Sequence, residues 1–104
     1  MKLVFDDRAL GDLEGIHQWI TQDSPRAAQA VVERIFASVE LLASFPHMGR
    51  PGREEGTREW VVPRLPYIVV YEVVDERDEV IVVAVFHGAR DWEAALKERR
   101  RQGE

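Results

Sequence analysis

The apolar positions of this chain change period part-way along it. From Ala9 to Leu42 they recur three and four residues apart, whereas from Tyr67 to His87 they run almost without interruption. The first spacing belongs to helices with one buried stripe, the second to strands too apolar to lie half exposed. Ala9, Leu13, Ile16 and Ile20, with Leu10 beside them, predict a first helix that Asp6 or Asp7 can cap. Asp23-Ser24-Pro25 ends it and starts a second, since a Ser N-cap followed by Pro at the first helical position wastes no backbone donor. That second helix, about Pro25 to Ser44, carries Ala28, Val31, Val32, Ile35, Val39 and Leu42 on one face, with Phe36 widening the stripe. A connection this short makes the two helices an antiparallel hairpin.

The β-rich half is organised around two runs, Tyr67-Ile68-Val69-Val70-Tyr71-Glu72-Val73-Val74 and Glu79-Val80-Ile81-Val82-Val83-Ala84-Val85-Phe86-His87, joined by the charged stretch Asp75–Asp78. They predict a β-hairpin at the middle of a sheet, with Val82, Val83 and Val85 in the core. Lys2 to Phe5 reads as a short strand. Thr57 to Val62 reads as another, with Arg58, Trp60 and Val62 on one side and Glu59 and Val61 on the other. The Pro- and Gly-containing stretch Phe45–Gly52 is expected to be loop throughout. After Gly88, Asp91 can cap a last, short helix over Trp92 to about Arg101. The expected fold is α+β: a helical hairpin covering one face of a small, mostly antiparallel four-stranded sheet, with a short C-terminal helix, in a single domain over residues 1–104.

Composition narrows the function. Hydrophobic residues make up 45% and charged residues 32%, a balance that buries a core. The longest apolar run is far short of a membrane span and no signal pattern opens the chain, so a cytoplasmic location and no membrane partner are expected. Without cysteine there are no disulfides, thiol nucleophiles or Cys-based zinc sites. The net charge of −5 argues against direct, tight nucleic-acid binding, which normally requires a basic surplus. Basic residues lead only locally, where Arg50, Arg53, Arg58 and Arg64 face Glu54, Glu55 and Glu59, and in the Arg99-Arg100-Arg101 tail.

No spacing of residues marks a metal or cofactor site, and neither is expected. The adjacent acids Asp6-Asp7 and Glu54-Glu55 read as a helix cap and a solvated loop rather than a paired-carboxylate centre. His17 on a helix and His47 in the Pro/Gly loop read as structural. His87 ends a strand and precedes Gly88 and Arg90, so an imidazole and a guanidinium can face one anion there; a histidine satisfied at a strand end is the equal alternative.

Five stretches, in order, carry a resemblance: Phe5–Ile16, the Leu41–Pro51 turn, Arg58-Glu59-Trp60-Val61-Val62, Tyr67–Tyr71 and Val85–Trp92. Together they resemble the RelE/ParE superfamily of bacterial type II toxins over about residues 2–96. The resemblance implies the same helical hairpin on a small sheet, and a cognate antitoxin, ParD-like or similar, that holds the toxin inactive. It also implies one of two activities. One branch cleaves ribosome-bound messenger RNA without metal, by in-line attack of a ribose 2′-hydroxyl; the ParE-like branch inhibits DNA gyrase. RNA-cleaving members carry an arginine where this chain has Ile68, lysines near Glu59 and Val61, and a tyrosine near Ala95. Only Arg90, and His87 as in some nucleases, match such roles, so the ParE-like branch is the expected one, with the RNA-cleaving branch and a degenerate toxin that only binds its antitoxin as the alternatives. A confident catalytic residue is therefore absent, with His87 and Arg90 the pair a nuclease would use. The expected target-facing residues are His87, Arg90, Trp92, Arg99, Arg100 and Arg101. The expected antitoxin groove is edged by Trp19, Trp60 and Trp92 and paired through Arg58, Arg64 and Arg90.

Overall fold

The computed structural model describes residues 1–88. Along them run strand β1 (Lys2–Phe5), helices α1 (Asp7–Thr21) and α2 (Pro25–Ser44), strands β2 (Arg50–Pro51), β3 (Arg58–Val61) and β4 (Tyr67–Val74), a 3₁₀ turn (Asp75–Arg77) and strand β5 (Glu79–His87). The strands form one sheet in the order β1-β5-β4-β3-β2, with β1 parallel to β5 and every other pair antiparallel. The α+β layout matches the expectation, and the hairpin of β4 and β5 lies inside the sheet as its composition requires.

The strand count does not match. The sheet has five strands rather than four because Arg50 and Pro51, expected to be loop, pair with Glu59 and Arg58 as its outer edge. Two residues are too few to show a period, and a proline is tolerated here because an edge strand can leave its missing donor facing outward. The helix expected over residues 92–101, with its Asp91 cap, lies outside the described residues.

Both helix starts follow from side-chain caps. Asp6 accepts a hydrogen bond from the Arg8 amide at 2.8 Å, and Ser24 from the Ala27 amide at 3.1 Å with Pro25 directly after it. The apolar stripes then press onto the sheet. Ala9 and Leu13 of α1 and Ile35, Val39 and Leu42 of α2 form one core with Val62, Tyr67, Val69, Tyr71, Val80, Val82 and Val85. Leu10 and Phe36, placed at the margins of the stripes, remain exposed, and Phe36 rests on Phe5 with ring centres 5.3 Å apart.

A second cluster, Ile68, Val70, Ala84 and Phe86 with Val83 against it, occupies the other face of the sheet. A bulge divides β5 between the two faces. Val70 is opposite Ala84 while Tyr71 is opposite Val82, so Val83 is the extra residue and sits half-buried beside the second cluster instead of in the main core. Beyond Val82 the edge strand β1 has ended, and Asp12 of α1 supplies the missing acceptor by taking the Val85 amide at 2.9 Å.

Candidate functional site

Of the described residues predicted from sequence, Arg58 lies at one end of the β3–β4 hairpin and Arg64 and His87 at the other. At the end beneath α2, Tyr71 is wholly buried; its hydroxyl donates to the Pro46 carbonyl at 2.7 Å and accepts from the Gly49 amide at 3.0 Å. Arg58, directly opposite Tyr71, donates to the Gly49 carbonyl at 2.6 Å and to that of His47 at 3.5 Å. Glu59 is 2% exposed and accepts from the Arg50 guanidinium at 3.1 Å and the Arg53 amide at 2.9 Å. These contacts hold the Pro46–Arg53 stretch against the sheet. Burial raises the Tyr71 pKa above its ordinary 10.0, more than the Gly49 hydrogen bond and the nearby Arg58 charge lower it, so the phenol stays a donor at neutral pH. Arg58 is therefore engaged within the fold. Beside it lies an open depression of about 260 Å³, lined by His47, Pro51, Thr57, Arg58, Val73 and Asp75.

At the opposite end, Tyr67 pairs with His87, and the two rings meet edge to face with centres 5.5 Å apart. The Gly88 amide donates to the Pro66 carbonyl, which binds the Pro63–Pro66 turn to the end of β5. Arg64 stands exposed on that turn with φ 66°. His87 is half-buried and, by strand alternation from Phe86, lies on the helix side of the sheet. Arg90, Trp92, Arg99, Arg100 and Arg101 lie outside the described residues.

The two described tryptophans differ in setting. Trp19 is 68% exposed in the last turns of α1, beside a shallow cleft with Ile20, Gln22 and Asp23. Trp60 is half-buried against the main core, and its buried Nε1 has no hydrogen-bond partner among the described residues. Sequence reasoning missed the Tyr71 hydroxyl and the burial of Glu59. The signal available was Gly49 between two cation-bearing or proline-bearing segments, because a glycine beside a buried tyrosine marks a close approach of chain to ring.

The face of the sheet turned away from the helices brings together Glu59, Val61 and Ile68, three positions that the superfamily resemblance singled out. Glu59 pairs with Val70, Val61 with Ile68, Ile68 with Phe86 and Val70 with Ala84, so these residues share one face. Apart from Glu59 and its cross-strand partner Arg50, which pair with each other, this strip is apolar. Among the described residues no three His, Asp or Glu side chains gather as metal ligands, and no helix is long and apolar enough to cross a membrane.

A family model described as the ParE toxin of the type II toxin–antitoxin system, parDE, matches residues 3–92. The chain belongs to this ParE toxin family. The chain is 43% identical to the toxin-named protein Y4kP of Sinorhizobium fredii over 86% of its own length and 90% of that protein. It is 37% identical to the toxin RelE2 of Caulobacter vibrioides, over 86% of its length and 97% of that protein. In fold, this ParE-family toxin superposes on the chromosomal ParDE system of P. aeruginosa with a TM-score of 0.73, at 23% identity, covering 84% of this chain and 95% of that one. The isolated E. coli RelE toxin gives 0.64 at 22% identity, covering 93% and 96%.

Proposed function

We propose that this ParE-family chain is the toxin of a toxin–antitoxin pair that arrests growth by binding DNA gyrase, and that its cognate antitoxin neutralises it. The observation that carries the reading is the face shared by Glu59, Val61 and Ile68. By the superfamily resemblance these are the positions where RNA-cleaving members hold lysines and an arginine. Cleavage through a pentavalent phosphate builds up negative charge that needs cations fixed in advance. An isoleucine, a valine and a carboxylate already engaged by Arg50 offer none. His87, the acid or base of the nuclease alternative, projects to the opposite side of the sheet from that strip. The antitoxin reading is supported by the family and by a solved relative, the RelBE2 toxin–antitoxin complex of Mycobacterium tuberculosis, matched at 29% identity and a TM-score of 0.55 over 86% of this chain.

The test is induction of the chain in a bacterium with the DNA-damage response and transcript integrity followed in parallel, alongside supercoiling by purified gyrase. Filamentation, a damage response and inhibited supercoiling with intact transcripts are the expected outcome. Prompt cleavage of messenger RNA at codons would replace this reading with the ribosome-dependent nuclease. Absence of any growth effect, with antitoxin binding kept, would mark a toxin that has lost its target.

A further inference from the structure

Three described residues have positive φ, and two of them obey the ordinary rule for that conformation. Gly56, at 83°, has no Cβ to clash. Asp78, at 53°, belongs to a residue type that tolerates the left-handed region, and its backbone is fully used: its amide donates to Asp75 and its carbonyl accepts from the Lys2 amide at 2.7 Å. Arg64, at 66°, fits neither case. The Val62 carbonyl accepts from the Leu65 amide, so Pro63 and Arg64 are the two central residues of a tight turn. Proline first and positive φ second is the type II pattern, whose second place favours glycine. Arg64 is exposed and, among the described residues, makes no hydrogen bond or ion pair. The fold thus holds an arginine where backbone energetics ask for glycine, and among the described residues obtains no hydrogen bond or ion pair from it.

We infer that Arg64 is a partner-contact residue, displayed by this strained turn to receive a carboxylate from an acidic segment of the antitoxin. The assignment rests on the toxin–antitoxin reading above and adds the residue and the chemistry of its contact. Outliers of this kind persist where function requires them. The surroundings suit a carboxylate: residues 61–67 and 85–88, which the Gly88–Pro66 hydrogen bond holds together, include Arg64 and His87 but no Asp or Glu, and the Asp12 carboxylate that reaches this segment is spent on the Val85 amide. The protein as a whole carries −5, so an acidic segment is repelled over most of the surface and directed to this end. A guanidinium also presents a planar fork that matches a carboxylate in two parallel hydrogen bonds. A nucleic acid is a poorer fit, since polyanion binding draws on several phosphate contacts at once and this turn supplies one cation.

The experiment uses the full chain and the antitoxin encoded beside it, co-expressed, separated and titrated back together. Arg64→Gly and Arg64→Asn are compared with the wild type, the second variant tolerating positive φ without adding glycine's freedom to the unfolded chain. Both variants should raise the melting temperature of the free toxin by a few degrees, about 2–6 °C for a domain of this size. Both should weaken antitoxin binding at least about tenfold, with a shallower salt dependence, as loss of a charged contact demands. Arg64→Lys should recover part of the affinity while keeping the strain. Affinity within twofold of wild type in both Gly and Asn variants would overturn the assignment, as would variants that keep antitoxin affinity but lose binding to a short oligonucleotide. If the wild type itself binds no antitoxin, the pairing reading falls too; if it binds and the variants bind equally, only the role of Arg64 falls.

Discussion

The two ends of the β3–β4 hairpin put arginines to opposite uses. Beneath α2, Arg58 and Arg50 are spent inside the molecule, one on the Gly49 and His47 carbonyls and the other on the buried Glu59. At the Pro63–Pro66 turn, Arg64 is exposed in a conformation that suits it poorly and makes no hydrogen bond or ion pair among the described residues. The difference shows that a local excess of arginine in the sequence is not by itself an interaction surface. Some of these cations neutralise carbonyls and a carboxylate that would otherwise be buried without partners, a role that burial imposes. The end where the fold leaves the charge unspent is the one proposed above for antitoxin contact.

Substitutions at the two ends should therefore separate stability from binding, and the largest effect is expected at Gly49. A Cβ there would come within 2.5 Å of the Tyr71 hydroxyl and 2.8 Å of the Glu59 carbonyl. Neither can retreat without giving up the contacts around it, so Gly49→Ala should destabilise by about 3 kcal/mol or more in chemical denaturation. Should it prove neutral, the close packing of this end is wrong. Val82→Ala removes two methyl groups from a fully buried site and should cost about 1–3 kcal/mol, lowering toxicity only through the fraction folded.

Tyr71→Phe keeps the ring and deletes the hydroxyl, leaving the Pro46 carbonyl and Gly49 amide unpaired. A loss of about 1–3 kcal/mol is expected. It should also change the alkaline behaviour. Because the folded-state pKa lies above 10.0, Tyr71 contributes stability that is fully present below about pH 10 and is lost as pH rises through the folded-state value. The variant should lack that part of the alkaline decline in melting temperature, and identical alkaline limbs would contradict the buried setting of the phenol.

At the other end the effects on folding should be smaller. His87→Ala loses an edge-to-face contact with Tyr67 and should cost about 0.5–1.5 kcal/mol, more than a fully exposed histidine would. Trp19→Ala, at a site 68% exposed, should change stability by less than about 0.5 kcal/mol while weakening antitoxin binding if the indole is an anchor. Unchanged affinity there, with the Arg64 variants impaired, would confine the antitoxin contact to the turn and the end of β5.

The sequence by itself determined the elements with a strong period and clear punctuation. The apolar stripes of Ala9–Ile20 and Ala28–Leu42, the Ser24-Pro25 start and the runs on either side of Asp75–Asp78 each carry their own local cause, and each appears in the fold within a residue or two. The family was legible for the same reason, since it is written in those elements and their order. What only the tertiary structure decided depends on pairs distant along the chain. Arg50–Pro51 is a strand because β3 lies beside it, Val83 leaves the main core because a bulge shifts the register, and Glu59 is buried because Arg50 and the Arg53 amide reach it. The separate uses of Arg58 and Arg64 belong to this second class. Both are arginines in a basic stretch, and only the Gly49 carbonyl bonded to one of them, with no hydrogen bond or ion pair to the other among the described residues, sets them apart.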